Sequence, residues 1–427
     1  MTLLLAAAVV LLVIGAPIAI VLGGSSALWV FFGSTVPNVV LVHRMVNGVD
    51  SFPLLAIPFF IMAGNLMNSA GITQRIFTFA LALVGWTRGG LGHVNVLGSV
   101  IFAGMSGAAV ADAGGLGTIE IKAMRDHGYD DDFSVGITAA SATIGPIIPP
   151  SLPMVVYGYM ASVSVGQLFA AGVIPGLLMA VALMVMIVFR AKRRGYARDA
   201  QFSLRRLGES FVGAFFPLMT PVIIIGGMMS GLFTPTEAAV AACAYAIFLG
   251  VVVYRSLDWR RLLKVSMETL ETTAIILLIV AAASIFAWIL TSNRVEQGLS
   301  EAILGITRDK NLLLFLVNVL LLIVGCFLET VAAITIFVPV LLPIMTKAGV
   351  DPVHFGLIMV FNLMIGLLTP PVGMVLFVLA RVARVSVERV AAAVTPFLVP
   401  LVVVLFLITY LPDLVLWLPA LVFRTGG

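Results

Sequence analysis

The chain has 427 residues, of which 61% are hydrophobic and 10% are charged, and its mean hydropathy is +1.17. These values exclude a soluble globular protein, since soluble chains carry about 25% charged residues. The net charge of +4 does not indicate nucleic-acid binding, because the basic residues lie between apolar segments without an aromatic platform. Long, nearly unbroken apolar runs recur along the chain and predict an all-helical polytopic membrane protein rather than a barrel.

The first apolar run covers residues 3–22. It has no basic segment before it and no small-residue cleavage site after it, so it is interpreted as a retained membrane span and not as a signal peptide. Gly15-Ala16-Pro17 and Gly23-Gly24 are two places where the run could divide into two helices. The number of helices in the first 50 residues and the side of the N-terminus therefore stay open.

Basic residues between the apolar segments predict the topology. The densest group lies in a loop assigned to residues 190–208, which the positive-inside rule places in the cytoplasm. Its members are Arg190, Lys192, Arg193, Arg194, Arg198, Arg205 and Arg206. The spans counted in both directions from this loop include 209–230, 234–254 and 267–291. The count also places Arg88, Arg125 and the basic residues at 255–264 and 381–389 on the cytoplasmic side.

Two pairs of apolar segments are too short to cross the membrane comfortably. The first pair, at about 93–125, lies between Arg88 and Arg125 on the cytoplasmic side. The second pair, at about 311–347, lies between Arg308 and Lys347, which the span count places outside. Each pair predicts a re-entrant helical hairpin, and the two hairpins enter from opposite faces.

The two hairpins belong to an internal repeat. At an offset of 221 residues, Gly104 coincides with Gly325, Met124 with Met345, Gly128 with Gly349, Asp130 with Asp351, Ile144-Gly145 with Ile365-Gly366, Pro149-Pro150 with Pro370-Pro371, and Pro175 with Pro396. At an offset of 220, Gly85, Thr87 and Arg88 coincide with Gly305, Thr307 and Arg308. Because the copies begin on opposite sides of the membrane, they form an inverted repeat, an arrangement that many secondary transporters share.

The chain is interpreted as one integral membrane transport domain over residues 1–427. The first repeat covers 53–189, with its hairpin at about 93–125 and a broken helix at about 133–161. The basic loop at 190–208 and a connecting span at 209–233 follow. The inverted second repeat covers 234–423, with its hairpin at about 311–347 and a broken helix at about 353–383.

Each repeat contains a helix interrupted at Gly-x-x-x-Pro-Pro, within residues 144–151 and 365–372. Proline removes a backbone donor and clashes with the preceding turn, so both stretches are expected to be unwound. Unwound carbonyls in a membrane are tolerated where they line a cavity or coordinate an ion. Carbonyls with one hydroxyl suit a monovalent cation better than calcium, and two pseudo-symmetric sodium sites follow as a hypothesis. The alternative is that Pro-Pro only kinks each helix.

Several motifs taken together identify a family. They are DSFPLLAIPFF from Asp50 with AGNLM from Ala63, RGGLGHVN from Arg88, GMSGAAVAD from Gly104, IGPIIPPS from Ile144 with PMVVY from Pro153, and FTPTEAA from Phe233. Over essentially its full length the chain resembles the large membrane subunit, of the M or DctM type, of tripartite ATP-independent periplasmic (TRAP) transporters. The motifs are specific only in combination.

The resemblance implies a transporter subunit and not an enzyme. It implies sodium-coupled import of a small organic acid, which could be a dicarboxylate, another carboxylate or a sugar acid, by an elevator movement. The implied partners are a small four-helix membrane subunit of the Q or DctQ type and a periplasmic substrate-binding protein of the P type. The implied location is the bacterial inner membrane, and no cofactor is expected apart from the coupling sodium ions.

The resemblance also implies site residues by their positions in the motifs. The first sodium site would comprise Ser106, Gly145, Ile147 and Pro150, with a backbone contribution from Ala108. The second sodium site would comprise Thr330, Gly366, Thr369 and Val372. Candidate substrate contacts are Ser151, Tyr157, Glu329 and Asn362.

Charged residues near the hairpins have structural alternatives. Glu329, at the second hairpin tip, could face substrate, neutralise a sodium ion or face an aqueous vestibule. Asp112 has no acidic counterpart in the second repeat and is interpreted as a brace within the first hairpin. Glu237 follows Thr234 by three residues, which predicts a helix-capping box. Arg75 and Arg88 are interpreted as snorkelling scaffold residues.

Two rival functions were compared with the carrier. Gly104-Met105-Ser106-Gly107 matches the Gly-x-Ser-Gly pattern of rhomboid-type intramembrane proteases, but such a serine needs a histidine base. The histidines at 43, 93, 127 and 354 fall in predicted loops or at segment edges, which excludes a protease. A standalone sodium-coupled carboxylate carrier, or an uncoupled channel subunit that needs no binding protein, stays the alternative.

Overall fold

The computed structural model describes residues 1–196, 198–295, 298, 307 and 309–423. The described residues form helices and no β-strand, apart from one isolated bridge between Arg88 and Arg198. Seven of the described helices are long and apolar enough to cross a membrane. The all-helical polytopic fold class is confirmed. Gly305 and Arg308, which take part in the offset of 220, lie outside the described residues.

The N-terminal apolar run is not one span. It forms α1 (Thr2–Val13) and α2 (Ile18–Phe32), and α3 (Val39–Asn47) follows. The chain turns between α1 and α2 because Gly15 adopts a φ of +77° and Pro17 cannot continue a helix. The other possible break, Gly23-Gly24, lies inside α2, where Gly23 packs against Ala282.

A second group of helices packs around α4 and combines helices of both predicted repeats with the connecting span. Its members are a 3₁₀ turn (Phe52–Leu55), α4 (Ala56–Ser69), α5 (Ile72–Val84), α12 (Leu204–Met229), α13 (Pro235–Phe248), a π-helical turn (Leu249–Val253) and α14 (Trp259–Ser292). Helix α4 packs against α13 and α14, and α14 also packs against α2 and α3. Helix α14 has 34 residues and is therefore about 51 Å long, so it extends well beyond the predicted span at 267–291.

Two predicted side-chain roles in this group have structural counterparts. Glu237 and Thr234 form the predicted capping box at the start of α13, which is confirmed. The guanidinium of Arg75 lies 4.1 Å from the ring centroid of Tyr254, a cation–π contact that attaches α5 to the segment before α14. Glu237 therefore stabilises the start of its own helix, and Arg75 holds two elements together.

The first repeat contains a hairpin, a broken helix and a long helix. The hairpin is α6 (Gly90–Ser106), α7 (Ala109–Gly114) and α8 (Leu116–Asp126), the broken helix is α9 (Asp131–Ala142) and α10 (Leu152–Ala161), and the long helix is α11 (Val165–Arg194). The second arm of this hairpin is interrupted at Gly115, which the sequence does not predict. The basic segment 190–208 is a loop only in part, because α11 continues through Arg194 and α12 begins at Leu204.

The second repeat has the same order of elements. Its hairpin is α15 (Lys310–Gly325) and α16 (Thr330–Lys347), its broken helix is α17 (Pro352–Gly366) and α18 (Met374–Ala383), and α19 (Val387–Tyr410) and α20 (Asp413–Phe423) follow. Backbone conformations also recur at the offset of 221. Gly128 and Gly349 have φ angles of +78° and +77°, and Pro149-Pro150 and Pro370-Pro371 are both joined by cis peptides. The repeat boundaries themselves stay a prediction.

Contacts at the two ends of α19 show that the hairpins enter from opposite sides. At its start, Arg389 pairs with Asp132 at 2.9 Å, next to the base of the first hairpin. At its end, the Tyr410 hydroxyl donates to the Asn311 carbonyl at 3.3 Å, at the base of the second hairpin. A helix of 24 residues is about 36 Å long, so the two hairpin bases lie a membrane thickness apart.

Candidate functional site

Each hairpin tip is hydrogen-bonded to the unwound segment of its own repeat. In the first repeat the Leu152 amide donates to the Gly107 carbonyl at 3.5 Å. In the second repeat the Val372 amide donates to the Cys326 carbonyl at 3.1 Å. The same type of junction, a loop carbonyl against an unwound proline-rich segment, is therefore built twice.

Four of the five residues assigned to the first sodium site converge at this junction. Gly107, with a φ of +61°, brings the tip against the Pro150 carbonyl, and a Cβ on Gly145 would lie 3.9 Å from the Ala108 backbone. Ser106 is 5% exposed, and its Oγ has no hydrogen-bond partner among the described residues. An unpaired buried hydroxyl costs about 1–3 kcal/mol, so this oxygen is suited to a bound cation.

The fifth residue, Ile147, is placed differently. Its carbonyl oxygen packs against Gly172 of α11, where a Cβ could not be accommodated. The structure therefore directs this oxygen at α11, whereas Ser106, Ala108, Gly145 and Pro150 lie at the hairpin tip.

The second site is also assembled around its hairpin tip. A Cβ on Gly325 would lie 3.0 Å from the Gly366 Cα, so hairpin and broken helix meet backbone to backbone. Thr369 Oγ1 donates to the Ile365 carbonyl at 2.9 Å. Gly373, with a φ of +37°, turns the chain so that the Thr369 carbonyl lies beside it. Thr330 is the buried first residue of α16.

The two junctions differ in exposure. Residues 143–151 of the first unwound segment are all buried, whereas Pro370, Pro371 and Val372 of the second are exposed. Two segments of similar sequence are therefore unequally accessible in this conformation.

A cavity of about 250 Å³ lies beside the first tip. It is lined by Ile61, Gly64, Asn65, Asn68, Phe102, Ser106, Ala108, Val110, Ala111, Leu152 and Thr272. Its polar groups are amides and hydroxyls, and none of these lining residues is charged. A second cavity of about 380 Å³, between α5 and α12, lies away from both tips.

Asn65, Asn68 and Thr272 were not among the residues predicted from the sequence. Asn65 Nδ2 lies 3.4 Å from Thr269 Oγ1 of α14, and Asn68 Oδ1 accepts from Thr73 Oγ1 at 3.0 Å. Two asparagines three residues apart on an apolar helix share one face, and that spacing is the signal that could have identified them.

The four candidate substrate contacts do not line the cavity. Ser151 Oγ accepts from the Met154 amide at 3.3 Å and caps α10. The buried Tyr157 donates its hydroxyl to the Pro352 carbonyl at 2.7 Å. Glu329 is half-buried and caps α16 through the Ala332 amide at 3.1 Å. Asn362 is described below, and the role of all four in substrate binding stays a prediction.

A buried amide attaches each hairpin to its broken helix. In the first repeat Asn95 Nδ2 donates to Thr138 Oγ1 at 2.6 Å, and Ser141 donates to Asn95 Oδ1. In the second repeat Asn362 Nδ2 donates to Asn318 Oδ1 at 2.6 Å. Since buried polar groups are costly when separated from their partners, hairpin and broken helix are held together as one body.

The surroundings of Ser106 do not support a serine nucleophile. His93 lies 13 residues earlier in α6, which is about 20 Å along the helix axis. His43 is inside α3, so the prediction that every histidine lies in a loop or at a segment edge is wrong for this residue, whereas His93 lies in the first turn of α6.

Comparison with known proteins gives a consistent result. The family model described as "Tripartite ATP-independent periplasmic transporter, DctM component" matches residues 5–414. The sialic acid TRAP transporter large permease protein of Vibrio cholerae is 50% identical over 384 residues, covering 90% of each chain. The C4-dicarboxylate TRAP transporter large permease protein of Rhodobacter capsulatus is 35% identical, covering 97% of each chain.

A solved structure shows a similar fold. The YdaH transporter of Alcanivorax borkumensis superposes with a TM-score of 0.64 at 15% sequence identity, covering 87% of each chain. At this identity the likeness concerns the arrangement of helices alone.

Proposed function

Because the chain belongs to the DctM-component family of TRAP transporters, we propose that it is the large membrane subunit of a sodium-coupled importer of a sugar acid. The family consists of transporter permease subunits and not of enzymes. The proposal of sodium coupling rests on the two junctions between hairpin tips and unwound segments. Each provides backbone carbonyls and a hydroxyl, the ligand set of a monovalent cation.

The unpaired hydroxyl of Ser106 supports an ion at the first junction. In this proposal Ser106 Oγ and carbonyls near Ala108, Gly145 and Pro150 hold one sodium ion. Thr330, Gly366, Thr369 and Val372 hold another at the second junction. No group of three or more His, Cys, Asp or Glu side chains among the described residues could hold a metal ion, so the carbonyl junctions are the better candidates.

The cavity beside the first tip supports a polyhydroxylated substrate. Asn65, Asn68 and Thr272 present donors and acceptors that suit hydroxyl groups. A C4-dicarboxylate would place two negative charges against a lining that has no cationic side chain. The higher identity to a permease named for sialic acid than to one named for C4-dicarboxylates agrees with this choice.

The proposed transport movement follows from the packing. The amides of Asn95 and Asn362 fix each hairpin to its broken helix. The cavity lies among the first tip, α4 and α14, and α4 touches the tip where Gly64 packs against the Ser106 backbone. A body that contains both hairpins and both broken helices can then move past a scaffold of α1–α5 and α12–α14 as an elevator. The proposed partners are a small membrane subunit and a periplasmic binding protein, and the proposed location is the bacterial inner membrane.

Substrate competition tests the sugar-acid assignment. We expect proteoliposomes containing this chain and the small subunit, supplied with their periplasmic binding protein, to take up labelled sialic acid. Unlabelled succinate should not compete at a hundredfold excess. Uptake of succinate without uptake of sialic acid would replace the sugar acid by a dicarboxylate.

A further inference from the structure

A buried glutamate in the first hairpin has no part in the proposed sodium or substrate sites. Glu120, on α8, is 2% exposed, and its Oε1 has no hydrogen-bond partner among the described residues. This oxygen faces α6 so closely that a Cβ on Gly98 would lie 3.0 Å from it. The carboxyl group is therefore enclosed by protein and is not compensated by a cation.

The charged group that acts on Glu120 is another acid. Asp112, on α7, is also 2% exposed, hydrogen-bonds Ser99 of α6 and acts electrostatically on Glu120. The other charged or titratable side chains on α8 and on the helices packed against it are His93, Arg75, Lys122, Arg125, Asp126, Asp131, Asp132 and Arg381. Lys122, two residues along α8, is exposed, and Arg125 is already bound to Asp131 and to the Ala383 carbonyl.

The second repeat shows that a hairpin of this design does not need these acids. At the offset of 221, Ala333 occupies the position of Asp112 and Leu341 occupies that of Glu120. Both are buried, at 0% and 3% exposure, in the continuous helix α16. Apolar side chains thus satisfy the packing in one copy, while the other copy keeps two buried carboxyl groups at a cost.

We propose that Glu120 is a proton-binding site within the first hairpin. A buried carboxylate without a cation costs several kcal/mol, and a second acid beside it adds repulsion, so a bound proton is the simplest ligand that removes the cost. The proton is held on the Glu120 carboxyl and leaves only when water or a rearrangement of the hairpin reaches it. Protonation is then coupled to the packing of the hairpin that carries Ser106 at its tip.

The proton can exchange with the cytoplasmic side. Glu120 precedes Arg125, near the end of α8, by five residues, which corresponds to about 8 Å along the helix. A small opening between α6 and α8 is therefore enough to hydrate the carboxyl group.

Infrared difference spectroscopy on the full chain in lipid tests the proposal directly. At neutral pH we expect a carboxylic-acid carbonyl band that shifts in heavy water and is lost in Glu120→Gln. In Asp112→Asn the band should persist and disappear at a lower pH than in the wild type, because the neighbouring charge is gone. Glu209→Gln, which removes an exposed acid paired with Arg205, should leave the band unchanged.

Two results would overturn the proposal. The first is a difference spectrum, wild type minus Glu120→Gln, that contains only bands of ionised carboxylate. The second is a carboxylic-acid band that disappears in sodium chloride but persists in choline chloride, which would mean that Glu120 binds sodium in place of a proton. If Glu120→Gln does not fold, Glu120→Leu, the residue of the second repeat, provides the same comparison. Failure of both neutral variants to fold would also count against a neutral Glu120.

Discussion

At the scale of single residues, the two candidate sodium sites differ in their hydroxyl groups. Ser106 Oγ is buried without a partner, whereas Thr369 Oγ1 already donates to the Ile365 carbonyl. The unpaired serine hydroxyl therefore destabilises the ion-free protein, and in the proposed site it would gain a partner when sodium binds. Removing this hydroxyl should therefore not lower the stability of the ion-free form, but it should lower the stability of the ion-bound form.

Ser106→Ala is expected to leave the melting temperature in choline chloride unchanged or slightly raised, because an unpaired polar group is lost. In sodium chloride the stabilisation by sodium should shrink, since a tenfold loss of affinity corresponds to about 1.4 kcal/mol. Thermal unfolding over a series of sodium concentrations measures both. Thr346→Ala, which removes an exposed hydroxyl bonded within its own helix, is the control. Sodium stabilisation equal to that of the wild type would exclude Ser106 as a ligand.

Asn65→Leu should separate substrate binding from sodium binding. The substitution removes an amide from the cavity but leaves both hairpin junctions intact. We expect uptake to fall at least tenfold while sodium still raises the melting temperature as in the wild type. Asn293→Leu, at the end of α14, is the matched control. Normal uptake in Asn65→Leu would mean that the substrate lies elsewhere.

At the scale of elements, backbone contact between hairpin and broken helix determines how each junction is built. In the second repeat, Gly325 and Gly366 touch without side chains between them. In the first repeat, Gly145 lies beside Ala108 and Gly107 beside Pro150. These contacts hold the unwound carbonyls at the hairpin tip, so small changes there should alter both stability and ion binding.

Gly366→Ala introduces a Cβ about 2.5 Å from the Gly325 backbone, which cannot be accommodated without a shift. We expect a loss of about 1–3 kcal/mol in stability, the usual cost of overpacking, and weaker stabilisation by sodium. Gly213→Ala, in a helix with no atom near the added Cβ, should be neutral or stabilising by up to about 1 kcal/mol. Similar melting temperatures for the two variants would contradict the close approach.

The turn after the first hairpin contributes a pH-dependent contact. Hydrogen bonds from the Tyr196 hydroxyl and from Arg194 hold the pKa of Asp130 below its usual value near 3.8. A lowered pKa stabilises the fold above pH 4, and this contribution is lost as the pH falls through the folded-state value. Asp130→Asn should therefore lose less stability than the wild type between pH 5 and pH 3. The difference is at most about 1 kcal/mol because the carboxylate is 54% exposed.

Local sequence signals predicted the elements that depend on them. Short apolar segments and Pro-Pro pairs indicated the hairpins and broken helices, and Thr234 with Glu237 indicated a cap. The interruption at Gly115 and the cavity amides were missed because they depend on partners distant in the chain. Gly115 packs against the Asn68 amide, and Asn65 reaches Thr269 of α14. The first apolar run offers two possible breaks, and the sequence does not distinguish them, because Gly23 stays within a helix through packing against Ala282 of α14.

At the scale of the whole molecule, the two junctions between hairpin tips and unwound segments are unequally exposed. In the proposed elevator, whose moving body contains both hairpins and both broken helices, this difference would correspond to one end of the transport cycle. The Tyr159 hydroxyl, on α10, donates to the Gly48 carbonyl at 2.7 Å and connects this body to the scaffold. The proposed movement of the body would have to break that bond.

The most direct test of the central claim is uptake into proteoliposomes that contain this chain and its small membrane partner, with the binding protein and its ligand outside. Under an inward sodium gradient we predict concentrative uptake that requires the binding protein and stops when choline replaces sodium. Ser106→Ala and Thr369→Ala proteins that fold normally should lose it. Uptake that ignores sodium, or that proceeds without the binding protein, would contradict the account and indicate a standalone carrier or a channel.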